Sequence, residues 1–129
     1  MENKFLGTGE KGYHPIRKIK VVLNGLRFAV LHDFSVLYKV VLSVIVIIPI
    51  ILLDASLVDV SLVILATGFM IAAELFNTAI EAICDFMETN YNEKIGIIKD
   101  ISAAATGIII LVWFVVLVIE IVSIFEHFM

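Results

Sequence analysis

The chain has 129 residues, 61% of them apolar and only 17% charged, where soluble domains run about 45–50% and about 25%. That balance excludes an ordinary soluble domain, and the length holds one domain rather than two. A single cysteine, Cys84, excludes an intrachain disulfide framework, and a formal net charge of −4 argues against nucleic acid as a partner, because phosphate binding needs an excess of Lys and Arg. The composition is that of a small integral membrane protein.

In chain order, residues 1–14 read as a mobile cytoplasmic tail. Gly7, Gly9 and Gly12 match a dinucleotide-binding glycine spacing, but no strand precedes them and no βαβ unit follows. The polar start lacks the apolar region of a cleavable signal peptide. From Pro15 to His32, Ile16, Ile19, Leu23, Leu26 and Val30 recur at helical spacing, while Arg17, Lys18, Lys20 and Arg27 take other faces. This predicts a basic amphipathic helix lying on an anionic membrane surface, the alternative being a cytoplasmic helix packed on protein.

Three stretches, about 36–53, 57–87 and 100–122, satisfy the about 20 helical residues that a hydrocarbon core about 30 Å thick requires. The predicted fold is therefore an all-α integral membrane protein with an N-terminal surface helix and three transmembrane helices. Lys39, near the start of the first span, is expected to snorkel to the interface along its aliphatic stem. Pro49 is expected to kink or end that helix. Seven Lys and Arg precede or open the first span, Lys94 and Lys99 lie between the second and third, and neither 54–61 nor the tail after Glu120 has any. Cytoplasmic loops retain such residues, which places the N-terminus and the 86–100 loop inside and the C-terminus outside.

The second span carries the informative residues. Glu74, Asn77, Glu81 and Asp85, at offsets of 3, 7 and 11, share one helical face. Counted from Leu62 at about 1.5 Å per residue, Glu81 lies near the cytoplasmic boundary and Glu74 about 10 Å deeper. An acid at that depth costs a few kcal/mol, so four polar groups in register point to a site, although a lone Glu could equally serve as interhelical glue. Asp33 stands where the surface helix meets the first span, Lys99 and Asp100 where the third span leaves the cytoplasm, and 88–93 form a polar loop. Carboxylates with a rim lysine suit Mg²⁺ and a polyphosphate, and phosphoryl transfer asks for metal ligands, a cation and a base. The small residues Ser102–Gly107 are read as helix packing, as is Cys84. The three histidines are too scattered for a metal cluster.

The stretch AELFNTAIEAICD (Ala73–Asp85), followed fourteen residues later by KDISAAA from Lys99, resembles the signature of the small prokaryotic diacylglycerol kinase and undecaprenol kinase family over about residues 15–120. The resemblance implies a homotrimer of three-span subunits in the bacterial cytoplasmic membrane, with active sites shared between subunits. It implies transfer of the γ-phosphoryl of Mg-ATP to the hydroxyl of a membrane lipid, diacylglycerol first and undecaprenol second. By position, Glu74 matches the catalytic acid/base, Asp33 and Glu81 the Mg²⁺-ATP ligands, and Asn77 a supporting residue. Asn90, Tyr91 and Asn92 match the loop over the nucleotide, Lys99 and Asp100 its K-D pair, and Arg17 an ATP contact. The chain departs from the family pattern at His14, Val21 and Leu37, and at Asp33 in place of a glutamate. A channel or proton-relay oligomer is the rival class, since it too would want intramembrane carboxylates.

Overall fold

The computed structural model describes residues 6, 9, 12–53 and 55–129, apart from the side chains of 127 and 128. The predicted mobile tail and its glycine spacing fall largely outside the described residues. Among the described residues the regular structure consists of four helices, α1 (Pro15–His32), α2 (Phe34–Leu52), α3 (Leu57–Met87) and α4 (Glu93–Phe128).

Local chemistry sets the ends of these helices. Pro15 opens α1, where its missing N–H costs nothing. Asp33 closes α1 and caps α2: its extended backbone (φ −120°, ψ 106°) breaks the helical path, and its carboxylate accepts from Ser35 N at 2.8 Å. α2 ends within one turn of Pro49, which has no N–H to give the preceding turn. Ser56 and Asp59 then form a reciprocal capping box at the start of α3. Asn92 caps α4 by accepting from Lys94 N and Ile95 N, so α4 begins at Glu93, seven residues before the predicted span, and Lys99 and Asp100 lie on a helix rather than in a loop.

α3 is the central helix and packs along α4 on one side and α2 on another, while α1 rests mainly against α2. The apolar core gathers at the end of the bundle away from the α3–α4 loop. Ile50 from α2, Val63 and Met70 from α3, and Trp113 and Leu117 from α4 are all buried there. Trp113 Nε1 donates to Thr67 Oγ1 at 3.2 Å within this layer, and Glu120, one turn beyond Leu117 on α4, is buried as well. Ser102 and Thr106 turn toward α3 and are buried, with Thr106 Oγ1 donating to Ala73 O at 3.4 Å, whereas Ala103, Ala104, Ala105 and Gly107 stay exposed on the single chain. Cys84 is buried and free.

α2, α3 and α4 are each long and apolar enough to cross a membrane. Their outward faces carry large apolar side chains such as Ile45, Phe69, Phe76, Ile108 and Phe114, a surface that lipid tails tolerate and water does not. At about 1.5 Å per residue, the 31 residues of α3 extend about 46 Å, longer than the hydrocarbon core, so its last turns stand beyond it.

Candidate active site

The deepest acid of the polar stripe is enclosed within one chain. Glu74 is 3% exposed and faces α2, where Lys39, 4% exposed, forms an ion pair with Glu74 Oε1. Lys39 Nζ also donates to Ser35 Oγ at 2.7 Å, and that hydroxyl stands 3.4 and 3.5 Å from the two carboxylate oxygens, long for an O–H···O bond. Lys39 therefore does not snorkel to the interface as the sequence predicts. A desolvated carboxylate on the facing helix offers it a stronger partner than the headgroup region does, and the stem lies along α2 to reach it.

Toward the α3–α4 loop the next layer is built around Asp33. Besides capping α2, its carboxylate accepts from Thr78 Oγ1 at 2.8 Å, which ties the α1–α2 junction to the middle of α3. Thr78 lies one turn from Glu74, so Asp33 sits about 6 Å from it along the helix axis and Glu81 about 10 Å. Asn77 Nδ2 donates to Glu81 Oε1 at 3.0 Å, while Asn77 Oδ1 is buried without a hydrogen-bond partner. Asn77, Glu81 and Asp85 follow each other at four-residue steps, and each step advances about 40° around the helix. Asn77 already lines a groove against α4 with Ile98, Ile101 and Ser102, and two turns further on Asp85 forms an ion pair with Lys99 of α4.

The remaining predicted site residues lie at the loop end. Asn90 N donates to Glu88 Oε1 at 3.0 Å, Tyr91 is 93% exposed, Asn92 is occupied as the helix cap, and Asp100 is exposed. Met87 lies thirteen positions beyond Glu74 on α3, about 20 Å of helix, so a single chain does not bring this loop onto Glu74. Arg17 lies in the first turn of α1 and lines an open, basic hollow with His14 and Lys20. The structure thus ties Asp33 and Glu74 into the α2–α3 contact, pairs Asn77 with Glu81 further along α3, and leaves Arg17 and the loop residues apart from them.

Three residues of the cluster are missed by the sequence reading. Ser35, Lys39 and Thr78 pass as helix-interface residues of ordinary kinds, and only Lys39, a charge inside an apolar span, carries a signal that could have singled it out. Among the described residues no group of three or more His, Cys, Asp and Glu is placed to hold a metal ion. Two carboxylates, Asp33 and Glu81, are what this layer offers a hard cation. Mg²⁺ is commonly held by one or two carboxylates with substrate phosphates and water completing the shell, and each carboxylate oxygen that accepts one hydrogen bond keeps a second lone pair.

The sequence profile described as prokaryotic diacylglycerol kinase matches residues 20–121. The chain belongs to that family. No curated protein matches the chain at a significant level. Membership sets the activity class as a lipid kinase, and with three membrane-length helices it places the chain as a multi-pass protein of a bacterial membrane. The matched region contains every residue of the cluster, from Asp33 to Glu81.

Proposed function

We propose that the chain transfers the γ-phosphoryl of Mg-ATP to the hydroxyl of a membrane lipid, with diacylglycerol, giving phosphatidic acid, as the first acceptor to test and undecaprenol as the second. The observation that carries this reading is the depth and enclosure of Glu74, whose carboxylate is 3% exposed, faces another helix, and lies on the loop-distant side of Asp33 and Glu81. A hydroxyl carried on acyl or prenyl chains reaches such a group laterally through the bilayer; a water-soluble sugar does not.

Glu74 accepts the proton of the lipid hydroxyl as that oxygen attacks the γ-phosphorus. Such a base contributes about 10²–10⁴ in rate. Asp33 and Glu81 are the residues that would hold Mg²⁺, with Asn77 orienting Glu81 through its side-chain amide. When bound, Mg²⁺ supplies charge neutralisation on the nucleotide phosphates. Lys99 is held by Asp85 on the same side of the bundle and presents a cation at the rim. Arg17, Asn90, Tyr91, Asn92 and Asp100 are assigned to the nucleotide by family resemblance. Because the loop lies about 20 Å along α3 from Glu74, we assign a homotrimer in which neighbouring subunits complete each site. The N-terminus faces the cytoplasm, where ATP is, and the exposed apolar side chains of α1, Ile16, Ile19 and Leu23 among them, lie in the membrane surface.

The test presents purified protein with diacylglycerol and undecaprenol at equal mole fraction in mixed micelles, with labelled ATP and a Mg²⁺ titration, and separates the products. Labelled phosphatidic acid that depends on Mg²⁺ is the expected result. Phosphorylation of a water-soluble alcohol and of neither lipid would overturn the lipid-substrate reading.

A further inference from the structure

We infer that Lys39 is a positioning residue for Glu74, an ion-pair partner on the facing helix that fixes which of its carboxylate oxygens is free to receive a proton. The inference rests on the lipid-kinase reading of Glu74 above. It is carried by the geometry on α2. Lys39 stands on the second turn of that helix, close enough to its end for the stem to extend outward, and it turns inward to Glu74 instead.

An ammonium in contact with a carboxylate orients it through a charge-assisted hydrogen bond, which is strong where water is excluded. Lys39 supplies that contact from the facing helix, and both partners are almost fully enclosed. The pairing is also one-sided. Nζ engages Oε1 and uses a second donor on Ser35 Oγ, so Oε2 is left with only the long approach of that hydroxyl. In the transfer step the lipid O–H bond breaks as the O–Pγ bond forms. The proton goes to the Glu74 carboxylate, and the electron pair of the broken Pγ–O bond leaves with ADP. Lys39 takes no part in that transfer, and so positions the base without itself reacting. The other charged groups around Glu74 do not replace it. Asp33 has the same sign and is bound to Ser35 N and Thr78, and Glu81, also acidic, is held by Asn77.

The experiment compares the wild type, Lys39→Met, Lys39→Arg, Glu74→Gln and the double variant Lys39→Met/Glu74→Gln in micelles containing diacylglycerol and undecaprenol, measuring kcat per folded molecule and KM for Mg-ATP. Lys39→Met is expected to lower kcat at least about tenfold while KM for Mg-ATP stays within about twofold. Lys39→Arg, which keeps the charge, is expected to retain more turnover than Lys39→Met. A pair that only held the helices together would lower the yield of folded protein and leave kcat per folded molecule unchanged.

The double variant carries no unpaired ion, so it remains informative even if Lys39→Met does not fold. Its residual turnover should equal that of Glu74→Gln within about twofold, because a residue acting through Glu74 has nothing left to act on. Wild-type kcat in Lys39→Met, or a further tenfold loss in the double variant relative to Glu74→Gln, would overturn the inference while leaving the lipid-kinase reading intact. A wild-type protein that phosphorylates neither lipid would remove that reading and the inference with it.

Discussion

The two ends of the helical bundle are held together by different physics. At the end away from the α3–α4 loop, Ile50, Val63, Met70, Trp113 and Leu117 interlock across three helices, with one hydrogen bond between Trp113 and Thr67. Toward the loop, α2 and α3 are joined by Asp33–Thr78, Ser35–Lys39 and Lys39–Glu74. Lipid tails are as apolar as a leucine side chain, so the first end gains from fit alone. The second end places an ion pair and side-chain hydrogen bonds between α2 and α3 where burying charge costs free energy, while the first end buries a single acid, Glu120, beside its apolar core. The proposed site residues are concentrated toward the loop and the interlocking apolar side chains away from it, so substitutions at the two ends should fail in different ways.

The largest effect is expected at Glu74. Glu74→Gln should lose about 10²–10⁴ in turnover while Mg-ATP still binds, and keeping more than about a tenth of the activity would exclude it as the base. Leu117→Ala at the opposite end should behave inversely: thermal or denaturant unfolding should show a loss of about 2–5 kcal/mol, with turnover per folded molecule unchanged. A drop in turnover there, with stability intact, would break the division between the two ends.

Glu81→Gln should raise the Mg²⁺ concentration needed for half-maximal activity by at least the about 10–100-fold typical of disturbing a metal's surroundings, as read from a Mg²⁺ titration. An unchanged titration would remove Glu81 from the metal. The smallest change is expected for Trp113→Phe, which deletes the bond to Thr67 and keeps most of the ring. Hydrogen bonds between membrane helices average about 0.6 kcal/mol, so the unfolding midpoint should move slightly and the kinase assay not at all.

Much of this architecture is legible residue by residue. α1 begins at Pro15 and ends at His32 as the periodicity of Ile16, Ile19, Leu23, Leu26 and Val30 predicts, and the second span runs over 57–87 as read. α2 starts two residues before the predicted span because Asp33 caps it, and α4 starts early because Asn92 does. Of the site, Glu74, Asn77 and Glu81 are visible in advance because they repeat at the period of a single helix. Lys39 is visible as a charge but not as a partner, and Ser35 and Thr78 are not visible at all.

What the chain determines by itself is whatever depends on near neighbours: which segments are helical, how long they are, which are apolar enough to enter a bilayer, and that one of them carries acids along a flank. Each of these follows from the helical repeat and from transfer free energies that attach to individual side chains. The pairing of Lys39 with Glu74 and of Asp33 with Thr78 is of another kind, because the partners are 35 and 45 positions apart. It depends on the axial register and rotation of α2 against α3. Shape complementarity between the two helices and the position of the Asp33 cap set that register, and a shift of one residue would turn Lys39 by about 100°, away from Glu74 and toward lipid. Tertiary packing alone therefore decided that the lysine of the first span belongs to the acid of the second.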